Sequence, residues 1–296
     1  MNKIRGKKRR LKYIAIFPSL VTLMNTMCGF LSIVYASRGQ ETGILVFHRY
    51  GVSFFALSAY MIFFAMIADV LDGVAARLTH TTSSFGAQLD SLSDAISFGV
   101  APAFLMLNVV GAYLAQQNIH FPSDFLDRTV GKAIFLTAIL FALCTVIRLA
   151  RFNVENAEGE SDHLHFTGLP STPSAGIIAS LVLFQKDFLS KNVDRSGELF
   201  QILESVTTWA LPVAALCCGL LMVSRVPYPN VSTRLFRRKK SFRSFLGIAF
   251  VIIVAILNIQ IALVLGLCGF AIGGVIYWVI REIRARFRSQ KSEAPV

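Results

Sequence analysis

Eight apolar runs, each near the length of a membrane span, constrain this chain more than any other feature. A span needs about 20 mostly apolar residues. Charged residues make up only 16% of the 296, too few to coat soluble domains of that total length. The sequence therefore predicts an all-α polytopic membrane protein of about eight transmembrane helices. The runs occupy roughly 13–37, 52–78, 86–113, 131–152, 171–186, 205–224, 244–260 and 263–281.

Basic residues predict how these spans are oriented. With the N-terminus in the cytoplasm and eight spans threaded, 22 of the 29 Lys and Arg residues fall on the cytoplasmic side. The positive-inside rule favours that arrangement, with both termini cytoplasmic. Basic segments beside anionic headgroups also account for the net charge of +12 without a nucleic-acid partner. A bacterial inner membrane is the setting that we expect.

Two neighbouring spans carry four carboxylates, which are costly in a membrane unless they are paired or bound to metal. Asp69 and Asp72 are three residues apart, Asp90 and Asp94 are four apart, and each pair therefore lies on one helix face. A short loop at about 78–85 makes the two helices antiparallel neighbours, so the four side chains can converge at the cytoplasmic end. An all-oxygen site favours Mg²⁺, Mn²⁺ or Ca²⁺ over zinc, and four aspartates suit two ions.

A salt-bridged helix pair or a proton relay is the alternative interpretation, since Arg77 can pair with either aspartate of the second span. Such pairing does not require the small residues Gly73, Ala76 and Gly86, which leave room for a ligand close to the backbone. An ion-coupled transporter built on a relay predicts broken helices or repeated halves. Neither is evident in the sequence.

The spacing D-x2-D-G-x2-A-R-x8-G-x3-D-x3-D resembles the motif of the CDP-alcohol phosphotransferases. The resemblance implies a six-helix membrane core, and transfer of a phosphatidyl or related group to an alcohol with release of CMP. Every fixed position of the motif is matched, at Asp69, Asp72, Gly73, Ala76, Arg77, Gly86, Asp90 and Asp94.

The resemblance also implies roles for these residues, with two Mg²⁺ or Mn²⁺ ions as cofactors. Asp94 is implied as the general base, because a carboxylate beside metal ions can take the proton of an attacking hydroxyl. The implied metal ligands are Asp69, Asp72, Asp90 and Asp94. The implied CDP-lipid site comprises Asp69, Gly73, Ala76, Arg77 and Gly86.

Segments outside the motif resemble the membrane-type phosphatidylserine synthases of this family. They are 25–30, 147–153, 166–171 and 223–229. This resemblance implies CDP-diacylglycerol and L-serine as substrates, with glycerol 3-phosphate, inositol phosphate or choline as alternative acceptors. One departure is Ser19, where many members carry Asn in a Pro-Asn-x-x-Thr pattern.

A zwitterionic serine needs a cation for its carboxylate and an acceptor for its ammonium group. Arg148 and Arg151 share one face at the end of the fourth span, and arginine suits bidentate binding of a carboxylate. Asn153 offers both a donor and an acceptor. We expect these three residues near the serine or a phosphate, although both arginines could instead be topology anchors.

These patterns predict a division of the chain. We expect a basic cytoplasmic segment at 1–12, a catalytic membrane domain at 13–225 and a basic cytoplasmic loop at 226–243. Two additional helices at 244–281 precede a basic tail at 282–296. The additional helices are candidates for a homodimer interface.

Overall fold

Long apolar helices make up most of the structure, a computed structural model that describes residues 2–39, 52–79, 84–116, 129–157, 165–194, 197–224, 226–229 and 258–292. Six helical stretches in these ranges are long and apolar enough to cross a membrane, which confirms the polytopic helical fold. The seventh predicted span, 244–260, lies almost wholly outside the described residues. The six stretches are Leu20–Ser37, Phe54–Val74, Phe85–Gln116, Thr129–Glu155, Glu198–Val223 and Ile259–Arg284.

Nine α-helical segments, two π-helical segments and two short strands form the described fold. The two π segments are Ala95–Val100 and Phe184–Leu189. The strands are β1 (His165–Thr167) and β2 (Pro227–Pro229). The helices are α1 (Asn2–Ser37), α2 (Phe54–Thr79), α3 (Ser84–Asp94), α4 (Ala101–Gln116), α5 (Thr129–Ala157), α6 (Ser171–Leu183), α7 (Ser190–Asn192), α8 (Glu198–Val223) and α9 (Ile259–Ser292).

Helices α4 and α6 form the centre of the bundle. Leu105, Met106 and Val109 on α4 are fully buried, as are Ile178 and Val182 on α6. The predicted fifth span, 171–186, belongs to this inner layer, within the run from α6 through the π segment to α7. The outer helices turn large apolar side chains outward, which suits a lipid environment. On α2 these are Phe64, Ile67, Val70 and Leu71.

The first π segment directly follows Asp94 and has a cause in the sequence. Pro102 has no N–H to donate to the carbonyl of Phe98, and its ring would clash with that carbonyl in a regular α-helix. Widening the preceding turn relieves the clash, and such turns often occur at functional sites. The wider turn therefore changes the orientation of the end of α3, where Asp94 lies, relative to the helices that pack against it.

A two-stranded ribbon covers one end of α8, and the sequence did not predict it. Strand β1 pairs antiparallel with β2, with Phe166 opposite Tyr228. Gly168 follows β1 with a φ of 85°, and an added Cβ there would contact the Met222 carbonyl oxygen, so glycine suits this turn. The Tyr228 ring is fully buried, and its hydroxyl donates to the carbonyl of Ala271 on α9 at 3.2 Å.

A buried carboxylate ties α9 to the bundle away from the motif aspartates. Asp187, in the second π segment, is only 2% exposed. Its Oδ2 accepts hydrogen bonds from the Tyr60 hydroxyl of α2 and the Gln260 amide of α9, both at 2.8 Å. Lys191 forms an ion pair with the same carboxylate. One side chain therefore joins three elements that are distant in sequence.

We predict that Asp187→Ala destabilises the protein by about 1–3 kcal/mol for each buried donor that it leaves unsatisfied. The loosened α9 should also become more sensitive to protease in detergent. The measurement is the thermal unfolding midpoint together with limited proteolysis. Glu198→Gln, which changes an exposed carboxylate, is the control. Equal midpoints for the two variants would contradict this role of Asp187.

Candidate active site

Three motif aspartates from α2 and α3, two helices that both pack against α1, converge at one place. Carboxylate oxygens of Asp69, Asp90 and Asp94 lie within 4.8 Å of one another. Asp94 is buried, and the other two are half-buried. Three carboxylates held this closely in a poorly solvated site are costly to keep ionised unless a cation compensates for their charge or a proton is taken up. Their oxygen-only chemistry suits a hard divalent ion.

Asp72 lies beside this cluster but is held differently. Its Oδ2 accepts a hydrogen bond from the hydroxyl of Thr22 on α1. Its carboxylate also interacts electrostatically with Asp69 and Asp90. Among the described side chains, its buried Oδ1 lacks a hydrogen-bond partner. A buried carboxylate oxygen in that condition fits a metal ligand, although among the four motif aspartates only Asp69, Asp90 and Asp94 have oxygens within 4.8 Å of one another.

Helices α2 and α3, which carry the motif aspartates, are called the carboxylate hairpin here. Helix α1 contacts this hairpin along one polar face. The amide nitrogen of Asn25 donates to Oδ1 of Asp94 at 3.0 Å. The Thr26 hydroxyl donates to the Ser93 hydroxyl at 2.9 Å, and the Ser97 hydroxyl donates to the Asn25 carbonyl at 2.9 Å. Sequence reasoning gave Asn25 no role of its own. The available signal was the spacing of polar residues 22, 25 and 26 on an otherwise apolar helix.

The three residues predicted to surround the serine make different contacts in the structure. Arg148 is attracted electrostatically by Asp94 and donates from Nη1 to the Ser171 hydroxyl at 3.4 Å. Its Nε atom is buried without a hydrogen-bond partner in the described part of the chain. Arg148 can therefore bind an anionic group close to Asp94.

The other two predicted residues make contacts of their own on α5. Arg151 forms an ion pair with Glu155, one turn later, at 2.7 Å. Asn153 is exposed and donates to the Ser91 hydroxyl at 2.8 Å. Asn153 thus joins α5 to α3 next to Asp90. Arg151 is therefore paired with Glu155 of its own helix, whereas Arg148 interacts electrostatically with Asp94.

The small and basic motif positions border the hairpin. Gly73 directly follows Asp72 on α2, and Gly86 lies in the first turn of α3, one turn before Asp90. Both glycines are half-buried. Ala76 and Arg77 lie on the backbone of α2, but their side chains fall outside the described part of the structure. This end of the hairpin therefore combines a carboxylate cluster with glycines that allow a ligand to approach the backbone.

Comparison with known proteins identifies the family. The family model described as CDP-alcohol phosphatidyltransferase matches residues 15–223. Over 281 residues the chain is 30% identical to the CDP-diacylglycerol–serine O-phosphatidyltransferase of Helicobacter pylori, covering 94% of this chain and 97% of that protein. A Methanocaldococcus jannaschii protein of the same name is 32% identical over 176 residues, 60% of this chain and 65% of its own. The archaetidylserine synthase of Methanothermobacter thermautotrophicus is 31% identical over 226 residues, 76% of this chain and 73% of its own.

The matched stretch falls inside the predicted catalytic membrane domain and includes all four motif aspartates. Similarity to the Helicobacter pylori protein covers 94% of the chain and therefore extends past the C-terminal end of that stretch. The chain belongs to the CDP-alcohol phosphatidyltransferase family.

Proposed function

We propose that this protein is a CDP-diacylglycerol–serine O-phosphatidyltransferase. It would transfer the phosphatidyl group of CDP-diacylglycerol to the hydroxyl of L-serine and release CMP. The observation that carries the proposal is the convergence of Asp69, Asp90 and Asp94 within 4.8 Å at the family motif. Two relatives that bear this enzyme's name, from Helicobacter pylori and Methanocaldococcus jannaschii, support the acceptor. Family membership also argues against the transporter alternative.

Asp94 is proposed as the general base. The serine oxygen forms a bond to the lipid-side phosphorus while the bond from that phosphorus to the CMP oxygen breaks. A carboxylate oxygen of Asp94 accepts the hydroxyl proton during the attack. Because Asp94 lies both in the carboxylate cluster and beside Arg148, it is well placed between the proposed donor and acceptor sites.

Two Mg²⁺ or Mn²⁺ ions are the proposed cofactors, with Asp69, Asp72, Asp90 and Asp94 as ligands. When bound, they would neutralise the pyrophosphate and improve CMP as a leaving group. The buried Oδ1 of Asp72, which has no hydrogen-bond partner among the residues that the structure describes, supports this assignment. Gly73, Ala76, Arg77 and Gly86 are proposed to border the CDP-lipid, with Asp69 shared between the two sites.

Arg148 is the proposed partner of the serine carboxylate. Its Nε, which has no hydrogen-bond partner within the described ranges, and the hydroxyl of its neighbour Ser171 can donate to one carboxylate group. Arg151 and Asn153 belong to the same proposed surface through their positions on α5. Their contacts with Glu155 and Ser91 suggest that they support its shape.

The proposed setting is a bacterial inner membrane with the site facing the cytoplasm. A soluble alcohol and a lipid-anchored donor both have access to that side. The distribution of basic residues supports the orientation. A homodimer also remains a proposal, since α9 turns many apolar side chains outward, including Leu265, Ile272 and Ile276.

We predict metal-dependent CMP release by the purified protein given CDP-diacylglycerol and L-serine. The assay compares serine with glycerol 3-phosphate, inositol phosphate and choline, each with Mg²⁺ or Mn²⁺ and with a chelator as control. Release with a different acceptor would keep the chemistry and overturn the serine assignment. No release with any acceptor, in folded protein, would overturn the proposed function.

Asp94→Asn should lower turnover at least about 100-fold, the usual contribution of a general base. Nucleotide binding should persist, because Asp69, Asp72 and Asp90 remain. Asp69→Ala, by contrast, should weaken nucleotide binding as well as turnover. The measurements are CMP release and the Mn²⁺-dependent rise in unfolding midpoint with CMP. Near-normal turnover by Asp94→Asn would remove Asp94 as the base.

Arg148→Ala should raise the KM for serine by about tenfold or more, the effect expected from losing a hydrogen bond to a charged group. The KM for CDP-diacylglycerol should change less. Arg151→Ala is the matched comparison, and its effect on the serine KM should be smaller because that guanidinium is paired with Glu155. An unchanged serine KM in Arg148→Ala would contradict the proposed carboxylate site.

A further inference from the structure

We infer that Asn25 is a positioning residue that holds Asp94 in its reactive orientation. The inference rests on the proposed function, because it assigns Asn25 a part in the step that Asp94 performs. It goes beyond the motif, which contains no residue of α1. The observation is one contact between side chains 69 residues apart, the 3.0 Å hydrogen bond from Asn25 Nδ2 to Asp94 Oδ1.

The chemistry of the two groups fixes which atom of the amide faces Asp94. An ionised carboxylate only accepts hydrogen bonds, so the amide nitrogen has to point toward it and the amide oxygen away. Asn25 is fully buried and Asp94 is 8% exposed, so water has little access to compete for this bond. The hydrogen bond therefore restrains one oxygen of a carboxylate that could otherwise rotate.

The backbone that carries Asn25 is itself held against the π segment. The Ser97 hydroxyl donates to the Asn25 carbonyl at 2.9 Å. One turn later, α1 comes so close that a Cβ added to Gly29 would collide with Ser97. The Ser93 hydroxyl also donates to the Thr22 carbonyl at 3.1 Å. These contacts on both sides of Asn25 fix α1 against the helix that carries Asp94.

Restraining Asp94 in this way serves the reaction without any proton transfer by Asn25. A general base must lie within hydrogen-bonding reach of the hydroxyl from which it takes a proton. With one oxygen fixed by Asn25, the plane of the carboxylate is set, and the remaining accepting positions keep a constant direction. Loss of a residue that orients a reactive carboxylate typically lowers metal affinity or activity by about 10- to 100-fold.

Asn108 provides a matched control for the loss of a buried asparagine. It lies on α4, is 7% exposed, and its amide donates at 2.8 Å to the Phe104 carbonyl of its own helix. Its substitution therefore removes a buried amide of the same size from the same bundle. It removes no contact with a motif aspartate.

The experiment measures kcat, both KM values and the unfolding midpoint for Asn25→Ala and Asn108→Ala in the full chain. Asn25→Ala should lower kcat by 10- to 100-fold, with both KM values and Mn²⁺-dependent CMP binding within about threefold of wild type. Asn108→Ala should keep kcat near wild type. If Asn25→Ala does not fold, Asn25→Ser, whose hydroxyl is too short to reach Asp94, takes its place. Unchanged kcat, or loss of CMP binding together with kcat, would overturn the inference.

A double-mutant cycle separates positioning from general damage. If Asn25 acts through Asp94, adding Asn25→Ala to Asp94→Asn should lower the residual rate no further. Multiplied losses would contradict the inference. Release of CMP only with another acceptor would overturn the serine assignment and leave this comparison intact, because the cycle requires turnover and not serine. Absence of turnover with every acceptor would overturn both.

Discussion

Electrostatic repulsion among carboxylates in a poorly solvated site is the constraint on which the rest of this structure depends. Asp69, Asp90 and Asp94 bring oxygens within 4.8 Å of one another inside apolar helices. Such an arrangement is costly until cations compensate for it, so a scaffold must hold it in place beforehand. The tightly packed α4 and α6 and the hydrogen bonds from α1 provide that support. Rigid surroundings also keep the ligand atoms in a constant geometry between turnovers.

Local spacing made the carboxylate hairpin predictable from the sequence. Aspartates three or four residues apart share a helix face, and a short loop makes consecutive helices neighbours. In the structure α2 ends at Thr79 and α3 begins at Ser84, and residues 80–83, within the loop predicted at 78–85, lie outside the described part of the chain. Apolar run length located the helices but not all of their bounds, since α8 begins seven residues before the predicted span and α9 continues eleven residues past it. These features depend on residues close in sequence, where geometry leaves few alternatives.

Contacts between distant segments were not predictable in this way. Thr22 reaches Asp72 across 50 residues and Asn25 reaches Asp94 across 69, and only the packing of α1 decides either contact. The two arginines of α5 share a face, yet Glu155 engages Arg151 and leaves Arg148 near Asp94. Arg151 and Glu155 are four residues apart, the spacing at which side chains pair on one helix, so this ion pair was predictable from the sequence. The three-residue strands of the ribbon are too short to show an alternating pattern.

The attachment of α9 has a consequence for how the protein is made. Tyr228 forms a hydrogen bond to Ala271 of α9, and Asp187 accepts one from Gln260 of α9. Helix α9 is synthesised after both Tyr228 and Asp187. Until α9 enters the membrane, the Tyr228 hydroxyl lacks its acceptor at Ala271, and Asp187 has only its contacts with Tyr60 and Lys191. The packing of the ribbon beside α8 is therefore completed only late in biosynthesis, when α9 has entered the membrane. A chain that stops before α9 would leave both of these hydrogen bonds unmade.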